Sequence, residues 1–374
     1  MRRCSVPPVS RVTDAIPVVV DTSLLGKLVV PHGQISAAAL EDLSQRAAVY
    51  ATRARGDGTR RAYRTAWSGF SRWCASIGRE PLAGDPDTIA MFLVRRADDG
   101  CAVSTLRVGL AAIRTAHLLA GVPLDLRHPA LSMVLEGITR SKGIRPRRQV
   151  TPAVPDLLRR LLATRPPSEN PIGARDRAML LLGFGAALRR SELVSLTLGD
   201  VTAMPGRGVQ LRIRRSKTDQ QGRGDLVAVA ANPADPGFCP LVALQDWLCH
   251  RERATDIATI GSPSGADDRM LFCAVSKGGK VMGTGLSDKA VVRLIKQSAG
   301  DAGLDPARFA GHSLRAGLAT AAGDAGAGLP ELMRQTRHKS TEVALGYLRP
   351  AELWTNNVSA RVFAAAGAVT TEAC

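Results

Sequence analysis

Residues 312 to 347 concentrate groups able to handle a phosphate ester: His312-Ser313-Leu314-Arg315, then Arg337-His338-Lys339, then Tyr347. The chain has three tyrosines, Tyr50, Tyr63 and Tyr347, so a phenol beside a basic cluster stands out against the composition. Opening a phosphodiester without a metal puts growing charge on the non-bridging oxygens as phosphorus becomes five-coordinate, and fixed cations must already stand there. Guanidinium suits that task because it stays charged and its planar fork can hold two oxygens. Arg315 is one candidate; Arg189, in Ala187-Leu188-Arg189-Arg190-Ser191-Glu192-Leu193, is another. Tyr347 can act as the nucleophile, and Lys217 or a histidine can protonate the departing sugar oxygen.

Spacing adds to this. His312 and Arg315 lie three apart, so a helix projects both from one face. His338 and Tyr347 are separated by 347 − 338 = 9 residues, enough for a turn at Lys339-Ser340 and a short helix that returns the hydroxyl toward the imidazole. Pro350 is expected to stop that helix. Singly, each residue has a plainer reading: Arg189 as a surface arginine, Lys217 as a hairpin-tip charge, His312 and His338 as satisfied polar residues, Tyr347 as part of a core. Their joint order along the chain weighs against that.

The elements that must carry these groups are mostly helical. Residues 1–34, rich in Pro and Val without sustained periodicity, read as a mostly unpacked, flexible tail. From Ser36 a helical pattern begins, and Thr59 is expected to cap a helix with Tyr63, Trp67, Phe70 and Cys74 on one face and Gly78 at its end. Helices follow near 87–98, 103–120 and 129–140, giving a helical domain over 35–142. His117, on the second of these, reads as a core-edge histidine. A basic linker, 143–151, contains Gly143, Pro146 and Arg145, Arg147 and Arg148. The second domain, 152–374, reads as helices at 155–164 and 173–187, then a hairpin formed by alternating Val209, Leu211, Ile213 and Leu226, Val227, Val229, whose tip holds Lys217. Helices return near 240–252, 287–299, 313–323, 330–336, 341–348 and 351–364.

A formal charge of +17 in 374 residues, with an isoelectric point near 10.4, implies a polyanionic partner, with nucleic acid ahead of an acidic membrane surface. The longest apolar run, Ala178 to Leu188, is far short of a span and reads as a buried helix. Met1-Arg2-Arg3-Cys4 meets Pro7-Pro8 before any apolar segment, which argues against a secretory signal. Seven cysteines without a C-x-x-C pattern suit free thiols in a reducing, cytoplasmic compartment. Cys239, Cys249 and His250 match no zinc-finger spacing, and the glycines at 278–285 complete no phosphate-cradling motif. No metal, nucleotide or other cofactor is expected, and no small-molecule substrate.

The succession Leu188-Arg189-x-Ser191-Glu192-Leu193, Lys217 in Ser216-Lys217-Thr218-Asp219, His312-x-Leu314-Arg315, His338 and Tyr347 resembles the tyrosine recombinase (phage integrase) family over about 35–364. The resemblance implies a mainly α fold with a small β-sheet in the catalytic domain (α+β), arranged as a two-domain C-shaped clamp on double-stranded DNA. It implies that Arg189, Arg315 and His338 hold the scissile phosphate, that Tyr347 attacks to leave a 3′-phosphotyrosyl link, that Lys217 protonates the 5′ oxygen, and that His312 assists proton transfer. Glu192 becomes a buried acidic support, and a helix near 353–364 would dock on a neighbouring protomer in a tetrameric synapse. Localisation would be cytoplasmic and nucleoid-associated. Two departures are visible: Ala316-Gly317 follows Arg315 where many relatives carry another histidine, and Ala187 stands where glycine is common. A type IB topoisomerase is the alternative enzyme; a non-catalytic DNA-binding protein on the same fold is the alternative outside enzymes.

Overall fold

The computed structural model describes residues 18–22, 26–30, 37–53, 55–143, 150–214, 224–252, 268–352 and 357–367. The chain divides into two compact units, Met1–Arg147 and Arg148–Cys374. In the first, β1 (Val18–Thr22) and β2 (Gly26–Val30) pair antiparallel with Val18 opposite Val30. A strand pair was not expected within 1–34, which reads in sequence as a mostly unpacked tail. The β-branched runs Val18-Val19-Val20 and Val29-Val30 favour extended backbone, but no polar/apolar alternation announces them.

Five helices complete this unit: α1 (Ala37–Arg53), α2 (Asp57–Ser76), α3 (Pro86–Asp98), α4 (Val103–Leu119) and α5 (Pro129–Lys142). Helix α2 begins two residues before Thr59, with Gly56 at its N-cap and no side-chain cap, so Thr59 is not the cap. Gly78, at φ 66, closes the helix as expected, and the Arg79 amide bonds back to the Cys74 carbonyl at 2.9 Å. The apolar faces meet in a core of Phe70, Ile89, Phe92, Leu93, Ile113 and Leu131, each contributing roughly 1.5–3 kcal/mol by leaving water. His117 is buried there edge-on to Trp67, with Nδ1 2.9 Å from the Ile113 carbonyl.

The second unit opens with α6 (Pro155–Ala163), α7 (Pro171–Gly185) and α8 (Arg190–Ser195). The long apolar run is the buried part of α7, where Ala178 to Leu182 are all inside. An antiparallel meander of β3 (Val201–Met204), β4 (Gly208–Ile213) and β5 (Asp225–Ala230) follows, with Val209, Leu211, Ile213, Val227 and Val229 turned into the core. Then come α9 (Pro240–Glu252), the pair β6 (Cys273–Val275) and β7 (Val281–Gly285), and helices α10 (Asp288–Asp301), α11 (Ser313–Asp324), α12 (Leu329–Thr336), α13 (Thr341–Glu352) and α14 (Val358–Gly367). β3, β6 and β7 were not expected: they are three to five residues long, too short to show a period.

Two boundaries differ. Helix α13 continues through Pro350 to Glu352. A proline inside a helix removes one bond to the carbonyl four residues back and crowds it; that residue is Gly346, exposed and with open space around it. The last helix begins at Val358, later than the 351 or 353 expected. Among the described residues no helix is long and apolar enough to cross a membrane.

Candidate active site

Helix α7 ends in a Schellman turn: the Ala187 amide bonds the Phe184 carbonyl at 2.9 Å and the Leu188 amide bonds the Gly183 carbonyl at 2.9 Å. The turn needs a left-handed residue, and Ala187 takes it at φ 48, at a cost of about 1–2 kcal/mol for a residue with a Cβ. The chain then reverses into α8 with Arg189 at the N-cap. Glu192, three residues on and 2 % exposed, accepts from the Arg189 amide at 3.0 Å and from Arg189 Nη1 at 2.5 Å. A carboxylate at the first turn of a helix is also favoured by the helix dipole.

Helix α11 carries the next two groups. His312 stands at its N-cap and Arg315 one turn in. Arg315 is 1 % exposed; its Nη1 donates to the Ala187 carbonyl at 2.8 Å, and its Nη2 has no hydrogen-bond partner among the described residues. Gly317 allows this helix to lie against the backbone of 153: a Cβ there would stand 2.2 Å from the Ala153 carbonyl oxygen.

Helices α12 and α13 bring in the rest. Leu332, Ala344 and Leu348 pack with Ala319 of α11 in a small core of their own, with Tyr347 at its edge. That packing sets the Tyr347 hydroxyl 3.0 Å from His312 Nε2, and the His338 ring stacks on the Tyr347 ring at 5.8 Å and 10°. The Thr336 hydroxyl donates its one proton to the Leu332 carbonyl at 2.6 Å. His338 Nδ1, 2.9 Å from the same oxygen, must therefore be the donor in that contact, which leaves the lone pair of the neutral ring on Nε2.

Of the six residues singled out by sequence, the structure links Tyr347 directly to His312 and His338, and links Arg189 and Arg315 through the 187–192 turn. Lys217 lies outside the described residues. The strand leading to it, β4, is followed by Arg214, which donates to the buried Asp200 at 2.6 Å and to Asp268 at 2.7 Å. Glu192, expected as an acidic support, is buried and accepts from Arg189 and Arg337. Sequence reasoning did not single out Arg337, although it is buried and its Nη2 donates to Glu192 Oε2 at 2.9 Å. An inward-facing arginine has no signature in a run such as Arg337-His338-Lys339.

These contacts set the charges. Burial alone would raise the Glu192 pKa, but the Arg189 amide, the Arg337 charge and the Arg189 side chain together hold it below the usual carboxylate range. Loss of water, then the nearby Arg189 charge, brings Arg315 down to about 10, still cationic at neutral pH. The same combination of desolvation and arginine charge lowers His312 and takes His338 down to about 4. Burial raises the Tyr347 phenol, opposed in part by Arg315. At neutral pH the site thus holds a protonated phenol against a neutral imidazole, with guanidinium charge beside them. Among the described residues no group of His, Cys, Asp and Glu is placed to hold a metal ion; His250 Nε2 instead lies 2.7 Å from the Ser168 carbonyl.

Residues 155–353 match the model of the phage integrase family. The chain is 35% identical to the integrase/recombinase xerD homolog of Selenomonas ruminantium over 86% of this chain and 90% of that protein. It is 24% identical to recombinase cre of Escherichia phage P1, over 75% of this chain and 80% of that one. In fold it is similar to a lambda integrase dimer bound to a COC′ core site, with a TM-score of 0.51, 17% identity and coverage of 82% of this chain and 93% of that one. The XerH site-specific recombinase in its post-cleavage complex gives a TM-score of 0.50 at 17% identity, covering 76% of this chain and 72% of that one. The chain belongs to the phage integrase family of tyrosine recombinases, enzymes that transfer DNA strands.

Proposed function

We propose that this enzyme cuts and rejoins double-stranded DNA at specific sites through a 3′-phosphotyrosyl intermediate, with neither metal nor nucleotide. The observation that carries the reading is the 3.0 Å contact between His312 Nε2 and the Tyr347 hydroxyl beside the two arginines. The phenol passes its proton to neutral His312 as its oxygen bonds to phosphorus, and the bond from phosphorus to the 5′ oxygen breaks. Lys217 supplies the proton that this leaving oxygen takes up. Arg189 and Arg315, with His338 once the phosphate has drawn a proton onto its Nε2, hold the non-bridging oxygens as charge accumulates on them. Because one phosphoester replaces another, the reverse attack by a 5′-hydroxyl restores the duplex without fuel. Basic side chains of the strongly cationic chain would hold the duplex, and α14, with Val358, Val362 and Phe363 exposed, would dock on a neighbouring protomer in a tetramer.

The test is covalent capture. Nicked duplexes drawn from a randomised pool are incubated with the protein, and species that survive detergent are sequenced. The wild-type chain is expected to give an adduct at a defined sequence with its phosphate on Tyr347, and Tyr347→Phe none. Adducts that persist in the phenylalanine variant, or none with wild type, would refute the mechanism.

A further inference from the structure

Arg337 stands out on two independent grounds. It is one of two non-glycine residues with positive φ among the described residues, at 56, and the other, Ala187, is its neighbour in space. Left-handed backbone costs a residue with a Cβ about 1–2 kcal/mol, and such strain is held where the surroundings fix it. Its side chain is also turned inward, 6 % exposed, where Nη1 donates to the Ala186 carbonyl at 3.0 Å and Nη2 to Glu192 Oε2 at 2.9 Å. Arg189 occupies the other oxygen of the same carboxylate at 2.5 Å.

One carboxylate is therefore shared by two guanidinium groups. Without Arg337, Glu192 and Arg189 would form a neutral pair, and Arg189 would meet a phosphate with its charge largely cancelled by the anion beside it. With Arg337 present the trio carries a net charge of +1: Arg189 +1, Arg337 +1, Glu192 −1. We infer that Arg337 is a positioning residue which shares Glu192 so that Arg189 stays electrostatically available to the scissile phosphate, while its contacts to the 186–187 turn fix where Arg189 emerges. The inference rests on the proposed phosphodiester chemistry and deepens it.

The experiment uses a nicked duplex captured by the wild-type protein, made once with the natural scissile phosphodiester and once with a methylphosphonate there. The methyl group replaces a charged oxygen, so the transition state carries one negative charge fewer and needs less cationic help. Arg337→Gly and Arg337→Asn both suit left-handed backbone, so their effect reports the side chain. Each is expected to form the tyrosyl adduct about 10-fold more slowly on the phosphodiester, short of the ~10²-fold typical of losing a group that touches the developing charge. On the methylphosphonate the gap to wild type should shrink several-fold. Equal slowing on both substrates would mean that Arg337 only supports the fold and would overturn the inference, as would wild-type rates on both. If wild type itself forms no adduct, the functional reading falls and this inference with it.

Discussion

His338 sits where its charge state is decided by its company. Loss of water first, then the charges of Arg315 and Arg189, with His312 when it is protonated and Arg337 behind them, hold it at about 4, against an ordinary 6.5; the stacked Tyr347 ring and the Thr336 oxygen add no charge. Between those values an unfolded chain binds a proton that the folded one refuses, so this residue lowers the stability of the DNA-free protein as pH falls from about 6.5 toward 4 and has no effect above. Glu192 acts in the same sense further down: its depressed pKa contributes stability above about 4.5 that is lost as pH falls through the folded value. Denaturant midpoints measured at pH 7 and pH 5 should therefore differ more for wild type than for His338→Gln. A variant that lost as much stability as wild type over that interval would show that the imidazole is not under this pressure. A bound phosphodiester would reverse it, because an anion at Nε2 favours the imidazolium and turns that nitrogen into a donor.

Helix α11 presents both His312 and Arg315, and the backbone of 153 supports it. The Ala153 amide bonds the Ser313 carbonyl at 2.9 Å, and a Cβ on Gly317 would meet the Ala153 carbonyl oxygen and carbon at 2.2 and 2.4 Å. Backbone cannot give way as a side-chain tip does, so Gly317→Ala is expected to cost about 1–3 kcal/mol in thermal or denaturant unfolding and to slow adduct formation more than DNA binding. A variant with the wild-type melting temperature would contradict that packing. Most helices were legible because their apolar residues recur every three or four positions, as with Trp67, Phe70 and Cys74 in α2. What escaped was decided by local backbone chemistry: Gly56 starting α2 ahead of Thr59, α13 tolerating Pro350 over Gly346, and a Val-rich hairpin with no alternation. The candidate site was legible because histidine and tyrosine are scarce here and because Arg189, Lys217 and Arg315 stand in an order that resembles the family, whereas no such order marks Arg337 among fifty basic residues.

Across the whole molecule the net charge of +17 sets the terms of binding. If many phosphates are held by Lys and Arg, the affinity for duplex DNA should fall steeply and linearly in a plot of log K against log salt, with a slope of about −0.9 per phosphate neutralised. A flat response measured by fluorescence anisotropy would exclude extensive backbone contact. That general attraction is spread thinly, but one interior atom is not. Arg315 keeps Nη2 buried and, among the described residues, unmatched, and an unanswered polar group in an interior costs about 1–3 kcal/mol. On the proposed chemistry, a phosphate oxygen bonded to that atom would recover this cost on binding. On the same reading, an apolar side chain of similar size in place of Arg315 would give a sturdier fold that no longer handles a phosphate.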